Sequence, residues 1–164
     1  MRILAVAALV WWVLGAPASA QTADADVIAP IQKFIDSFNK GDVAAAAAAH
    51  AATADLVIID EVPPYVWHGA KAFQAWGADL ESDAKKNGIT DPKVTLGAVT
   101  RIEKSGDQSY VVVPTVYTFK LRGTSMREAA QMTFVLKKDA TGWLIHGWTW
   151  TGPKPRPAGG AAKE

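Results

Sequence analysis

The chain has 164 residues, with 17 basic and 16 acidic side chains and no cysteine, so it has the length of a single domain and is almost neutral. This composition excludes disulfide bonds, cysteine nucleophiles and thiolate-bound metals, and the absence of a basic block disfavours nucleic acid as a partner. The three histidines are not spaced as metal ligands, and the sequence has neither a Gly-x-Ser-x-Gly motif nor a glycine-rich phosphate loop, so we expect no metal site and no nucleotide site.

The first twenty residues have the pattern of a secretory signal peptide. Arg2 precedes an apolar run over residues 3–14, and Ala18-Ser19-Ala20 supplies the small residues of a cleavage site. The apolar run is too short to span a bilayer, which takes about 20 residues. We therefore predict that residues 1–20 are removed and that the mature protein is soluble, periplasmic or secreted, and without a membrane partner.

Three helices are predicted in the first half of the chain. Apolar side chains at helical spacing predict the first of them: Val27, Ile31, Phe34, Ile35 and Phe38. Asp24 or Asp26 is expected to cap this helix and Gly41 to end it. A second helix follows Asp42 through the alanine run 44–49. A third is predicted over 70–86, with Phe73, Trp76 and Leu80 on one apolar stripe.

After Pro92 the pattern changes to an alternation of polar and apolar residues, which predicts strands. We expect them at 94–103, 109–121, 125–138 and 142–151, in addition to an earlier strand at 56–60. Short turns between the four late strands predict an antiparallel meander. Helices followed by a meander are typical of an α+β domain, which we assign to residues 21–152. Residues 153–164 are rich in proline and glycine and are predicted to be disordered.

An acidic strand end beside an aromatic loop is the strongest functional signal. Asp60 ends the strand 56–60 and is followed by Pro63-Pro64-Tyr65-Val66-Trp67. A carboxylate held among apolar side chains has a raised affinity for a proton, so Asp60 is a candidate general base. The alternative is that Asp60 makes a turn by bonding to nearby backbone. Glu61 is expected to point to the opposite face, which disfavours a mechanism with two carboxylates.

Two histidines are candidates for the same site. His68 precedes a helix start, where it could donate to a ligand oxygen, or it faces solvent as loop residues commonly do. His146 alternates with Leu144 and Trp148 and is predicted to share their strand face, either at a ligand site or as a half-buried residue with a backbone partner. His50 is assigned no role.

Glu128 alternates with apolar residues on its predicted strand and would be costly to bury alone. It is either a pocket acid that desolvation keeps protonated, or the partner of Arg101 or Arg122 in an ion pair. Aromatic side chains are expected to form the pocket walls: Tyr65, Trp67, Trp148 and Trp150. His146, Tyr117 or Glu128 would then donate a hydrogen bond to developing negative charge.

The order of these elements resembles the nuclear transport factor 2-like superfamily, and within it the SnoaL-like, ketosteroid isomerase-like group. Four segments carry the resemblance: Phe38-Asn39-Lys40-Gly41-Asp42, the strand that ends in Asp60, Trp67-His68-Gly69, and Gly142-Trp143-Leu144-Ile145. The resemblance implies a cone-shaped α+β domain, in which three N-terminal helices pack on a strongly bent antiparallel sheet around an apolar pocket. It also implies a homodimer through the outer sheet face.

Ketosteroid isomerases keep their base nine residues before the glycine that opens the third helix, a spacing that Asp60 and Gly69 match. Their oxyanion-binding tyrosine corresponds to Phe34, which has no donor, and no aspartate lies in the late-strand region 128–134. The resemblance thus implies a cofactor-independent isomerase or cyclase that acts on a small apolar carbonyl compound. The alternative is a non-catalytic ligand-binding or dimeric assembly module of the same fold.

Overall fold

The computed structural model of the chain describes residues 18–159. Most of the predicted signal peptide, residues 1–17, lies outside the described residues, as does the end of the tail, residues 160–164. Within residues 18–159, no helix combines the length and the apolar character that a membrane span needs.

Three helices precede the long strands, as the sequence predicts: α1 (Ala18–Lys40), α2 (Val43–Ala47) and α3 (Ala72–Asn87). Because α1 begins before Asp24 and Asp26, neither residue caps it, and that prediction is wrong. Asp42 does cap α2, since its side chain accepts a hydrogen bond from the N–H of Ala45 at 2.9 Å. Gly41 and Gly88 follow α1 and α3 with φ angles of 71° and 73°, a left-handed conformation that glycine adopts without a steric cost.

The strands form one strongly curved, unclosed sheet. They are β1 (Val57–Ile59), β2 (Val66–His68), β3 (Ile89–Leu96), β4 (Arg101–Ser105), β5 (Gln108–Leu121), β6 (Thr124–Asp139), β7 (Gly142–Thr151) and β8 (Arg156–Pro157). The main path runs β2-β1-β7-β6-β5-β3. Strands β5, β6 and β7 make the predicted antiparallel meander, whereas β1 joins β7 in parallel and departs from a purely antiparallel sheet.

The predicted strand 94–103 is in fact two strands, β3 and β4, which pair with different halves of β5. The interruption lies opposite Pro114, which has no N–H to offer a neighbouring strand. Gly97 instead donates its N–H to the Pro114 carbonyl at 2.7 Å, and regular pairing resumes at Arg101. Pro114 in the long strand β5 therefore accounts for the division of the neighbouring segment into β3 and β4.

The tail is ordered as far as the structure describes it, so the prediction of disorder is wrong for residues 153–159. Strand β8 pairs with β6 through Arg156 and Pro157, and the N–H of Ala158 donates to the carbonyl of Ser125 at 2.9 Å. The alternating prolines limit this pairing to two residues but do not prevent it, because β8 lies at an edge where only one side needs donors.

The core lies between the helices and the inner face of the sheet. Helix α1 contributes Ile31 and Phe34, α3 contributes Trp76, and β6 and β7 contribute Phe134 and Trp148, all of them buried. Burying a side chain of this kind contributes roughly 1.5–3 kcal/mol. The predicted apolar stripes of α1 and α3 are therefore confirmed as the surfaces that hold the helices on the sheet.

Candidate functional site

A cavity of about 230 Å³ opens between α1, α3, the β1–β2 connection and the sheet. Seven aromatic side chains line it: Phe34, Phe38, Trp76, Tyr117, Phe119, Trp148 and Trp150. Its aliphatic lining comes from Ile35, Val62, Pro63, Leu80, Ala84, Ile89, Val94, Met132 and Pro155. Three acids also face it, namely Asp60, Glu61 and Asp83. The cavity is thus an apolar space with carboxyl groups at its wall.

Asp60 reaches the cavity because it continues the inward alternation of β1, in which Ile58 is buried and Ile59 is exposed. The indole N–H of Trp76 donates to Asp60 Oδ2 at 2.6 Å, and the backbone N–H of Glu61 donates to Oδ1 at 2.7 Å. Burial raises the pKa of Asp60, while these two hydrogen bonds oppose the rise. Asp60 therefore combines both predicted properties, since it faces the pocket and also stabilises its turn.

Glu61 also lines the cavity, so the expectation that it points away is wrong. Strand β1 ends at Ile59 and the chain bends at Glu61, so the strand alternation no longer decides where the side chain points. Although the Glu61 residue as a whole is exposed, partial desolvation of its carboxyl group and the negative charge of Glu128 raise its pKa to about 8. The carboxyl groups of Asp60 and Glu61 therefore both belong to the wall of the cavity.

Glu128 lies immediately behind this wall and is only 1% exposed. Its Oε1 accepts a hydrogen bond from the indole N–H of Trp150 at 2.8 Å, whereas Oε2 receives none from the amide, hydroxyl, indole or basic groups that the structure describes. Burial raises the pKa of Glu128, while the hydrogen bond from Trp150 and the nearby Glu61 carboxyl group oppose the rise. The raised pKa values of both carboxyl groups favour retention of a proton by Glu61 or Glu128 near neutral pH.

The alternative ion pair of Glu128 with an arginine is not formed. Arg101 instead contacts Glu103 at 3.1 Å, and Arg122 donates to the Asn87 carbonyl at 3.3 Å. Gly152 packs directly against the Glu128 carboxyl group, where an added Cβ would overlap Oε1. Gly152, the first residue after β7, thus helps to keep water from Glu128. The sequence did not indicate this role.

Tyr117 lines the cavity on β5 and is paired across the sheet with Glu128 on β6. Its ring stands perpendicular to that of Trp150, with an interplanar angle of 81° and 6.0 Å between centroids. Burial raises the pKa of the Tyr117 hydroxyl, and the negative charges of nearby acids raise it further. The hydroxyl is therefore neutral and able to donate a hydrogen bond within the cavity.

His146 does not reach the cavity, because β7 contains a bulge at this residue. Leu136 pairs with Ile145 and Val135 pairs with Gly147, so His146 is an extra residue that reverses the alternation. Trp148 and Trp150 consequently face inward with Ile145, while the His146 Nδ1 lies 3.3 Å from Asp55. The prediction that His146 shares the face of Trp148 is wrong.

The predicted aromatic loop contributes less than expected, because residues 66–68 form strand β2 and pair with β1. Tyr65 is 54% exposed and His68 is exposed, whereas Trp67 is buried and donates its indole N–H to Asp79 at 2.8 Å. None of these three residues lines the cavity. Of the predicted site residues, Asp60, Tyr117, Trp148 and Trp150 line it, and Glu128 stands behind it.

His50, to which no role is assigned from the sequence, fixes one wall of the cavity. Its Nδ1 lies 2.9 Å from the Ala46 carbonyl, and its Nε2 accepts the indole N–H of Trp148 at 3.1 Å. Burial lowers the pKa of His50 to about 4, so the ring is neutral and carries its proton on Nδ1. The sequence around His50, a run of alanines, gave no signal for its hydrogen bond with Trp148, because the two residues are far apart in the chain.

Trp76, Phe34, Glu61 and Pro155 are cavity residues that were not predicted as site residues. The apolar stripe of α3 carries the signal for Trp76, since a residue that faces the sheet can also face a cavity between helix and sheet. Within residues 18–159, no group of three or more histidine, aspartate and glutamate side chains is arranged to hold a metal ion.

Comparisons with known proteins agree with this architecture. A nuclear transport factor 2-like superfamily protein from Salmonella enterica serovar Typhimurium superposes with a TM-score of 0.67 and 16% identity, over 87% of this chain and 99% of that chain. A ketosteroid isomerase-like protein from Erwinia carotovora atroseptica superposes with a TM-score of 0.60 and 23% identity, over 80% of this chain and 96% of that chain. LinA superposes with a TM-score of 0.66 and 14% identity, over 89% of this chain and 94% of that chain. At these identities the likeness establishes the fold.

No curated protein sequence matches this chain. The family model of the SnoaL-like domain matches residues 27–148, a span that runs from the buried Val27 of α1 to the cavity residue Trp148. The predicted cone-shaped α+β fold is confirmed by the helices, the curved sheet and these structural neighbours. Since the matched span includes most of the domain and its candidate base Asp60, the chain belongs to the SnoaL-like domain family.

Proposed function

We propose that this protein binds a small, largely apolar carbonyl compound in the cavity and acts as a cofactor-independent isomerase or cyclase. The observation that carries the proposal is the Asp60 carboxyl group, which faces an aromatic cavity and is oriented by the Trp76 indole N–H at 2.6 Å. A carboxylate with a raised pKa is a stronger base than one in water, and fixed orientation makes it more effective.

In the proposed reaction, Asp60 removes a proton from the carbon next to the carbonyl group. Negative charge then develops on the carbonyl oxygen and requires a hydrogen-bond donor. The Tyr117 hydroxyl and the Glu61 carboxyl group, whose pKa is raised to about 8, are the candidates, because both line the cavity. They would replace the donor that is absent at Phe34.

A non-catalytic ligand-binding module is the second candidate function. Phe34 favours it, because the position that holds a donor in ketosteroid isomerases carries none in this chain. Both functions require a ligand in the cavity, and only the first requires Asp60 to transfer a proton. Export, a periplasmic or secreted location and a homodimer through the outer sheet face stay predictions.

A thermal-shift screen of steroid ketones, aromatic polyketides and small aryl ketones tests the shared requirement. A ligand that binds only the folded protein at a concentration a hundred times its Kd stabilises it by about 2.7 kcal/mol, so we expect at least one class to raise the Tm by several degrees. Trp150→Ala removes one cavity wall and should abolish the shift. If no compound moves the Tm of the wild type, the proposal fails.

A further inference from the structure

The charges around the cavity are all of one sign. Asp60, Glu61 and Asp83 line it and Glu128 stands behind it, whereas no lysine, arginine or histidine is among the lining residues in the described part of the chain. The Asp60 and Glu128 carboxyl groups accept hydrogen bonds from indole N–H groups, which are neutral donors. Asp83 accepts a hydrogen bond from the Asn87 side-chain amide at 2.9 Å. The acids of the wall are therefore oriented by neutral donors, and no basic side chain that lines the cavity balances them.

These four acids come from three parts of the fold around the cavity. Asp60 and Glu61 follow β1, Asp83 belongs to α3 and Glu128 belongs to β6. The negative charge of each of them raises the pKa of the Tyr117 hydroxyl, which lies within their common field. A neutral ligand would displace water from this wall without supplying a countercharge, which is costly for carboxylates.

The aromatic lining suits a cation as well as an apolar body. The rings of Trp76 and Trp148 stand at 87° with 5.1 Å between centroids, and those of Tyr117 and Trp150 stand at 81° with 6.0 Å. These perpendicular pairs are edge-to-face contacts, and the ring faces that remain turned toward the cavity attract positive charge, as in sites that hold quaternary ammonium groups. Acids and rings thus surround the same space.

We propose that the compound bound here carries a cationic amine beside its apolar body, seated between the carboxyl groups of Asp60 and Glu61 and the rings of Trp148 and Trp150. The inference rests on the proposed function in that it concerns the ligand of the same cavity. It also bears on that function, since any carboxyl group of the wall that is ionised, as Asp60 must be to act as a base, opposes negative charge on a carbonyl oxygen. A substrate that brings its own positive charge offsets this repulsion.

The test compares benzyltrimethylammonium with neopentylbenzene, which has the same shape without the charge. Isothermal titration calorimetry of the wild type should show the cation bound about tenfold more tightly or better, which corresponds to about 1.4 kcal/mol. A bound cation favours ionised carboxyl groups, so its binding should release protons, and its affinity should rise as the pH is raised through about 8, where Glu61 ionises.

Glu61→Gln and Asp60→Asn should each reduce the preference for the cation, whereas Glu103→Gln should leave it unchanged because Glu103 is exposed and contacts Arg101. The comparison of the two ligands on the wild type needs no variant to fold. Equal or tighter binding of neopentylbenzene, or cation binding without proton release, would overturn the inference while the proposed function still stands. Failure of every ketone in the thermal screen would remove the proposed function, and cation binding in that case would still support the inference.

Discussion

Replacing Asp60 with asparagine is expected to reduce proton transfer by about 10²–10⁴-fold and to leave ligand affinity nearly unchanged. Asparagine keeps the shape of the side chain and can still accept the Trp76 N–H, but it cannot take up a proton at neutral pH. A convenient probe is nitrobenzisoxazole, an apolar aromatic compound whose ring opens when a base removes its C–H proton, so that the N–O bond breaks and a coloured cyanophenolate forms. Its rate of opening measures Asp60 as a base.

Asp55→Asn is the matched control. Asp55 lies two residues before β1 begins, but its carboxylate is exposed and contacts His146 outside the cavity. We expect this variant to open the probe at the wild-type rate, because Asp55 does not line the cavity. Equal rates for wild type and Asp60→Asn, with ligand binding intact, would favour the non-catalytic binding module.

The second large effect is expected at Phe34, which is 2% exposed at the centre of the aromatic cluster. Its ring centroid lies 4.7 Å from that of His50, 5.7 Å from that of Trp148 and 5.9 Å from that of Phe73. Phe34→Ala removes these contacts and leaves a hole beside the cavity, so the free energy of unfolding should fall by about 3–5 kcal/mol. Urea denaturation measures this change.

Val43→Ala is the comparison, because Val43 is 66% exposed and its truncation should change the free energy of unfolding by no more than about 0.5 kcal/mol. Phe34→Leu keeps most of the apolar volume and should cost clearly less than Phe34→Ala. A loss at Phe34→Ala no larger than that at Val43→Ala would mean that α1 is not held by this cluster and that the described packing is wrong.

The order of helices and long strands could be predicted from the sequence because each depends on local pattern. The stripe through Ile31 and Phe34 has helical spacing, and Gly41 and Gly88 end helices where the backbone turns left-handed. The alternation in β5 and β6 is long enough to specify their pairing. Asp60 was identified for the same reason, since it stands at the end of an alternating strand.

The features that were predicted wrongly depend on contacts between distant parts of the chain. The bulge at His146 changes which residues of β7 face inward, and a bulge has no signal in the alternation itself. The tail pairs with β6 because β6 extends far enough to offer it an edge. Glu61 turns into the cavity because β1 ends one residue earlier than the predicted strand 56–60.

Only part of the candidate site could be predicted, because the rest of it also depends on contacts between distant parts of the chain. Trp148 and Trp150 line the cavity as expected, although the bulge at His146 is what allows them to face inward with Ile145. The effect of Glu128 on the pKa of Glu61 could not be foreseen, because it requires two side chains that are far apart in sequence to lie close together in the fold.

Everything proposed for this cavity requires that the Asp60 carboxyl group lies in an apolar environment. The most direct measurement is an NMR titration of the side-chain carboxyl carbons of the aspartates in the free protein. We expect the pKa of Asp60 above 3.8 because burial disfavours its charged form, and that of Asp139 below 3.8 because Thr141 donates to its carboxylate. A midpoint for Asp60 at or below that of Asp139 would contradict the desolvated base and with it the proposed chemistry.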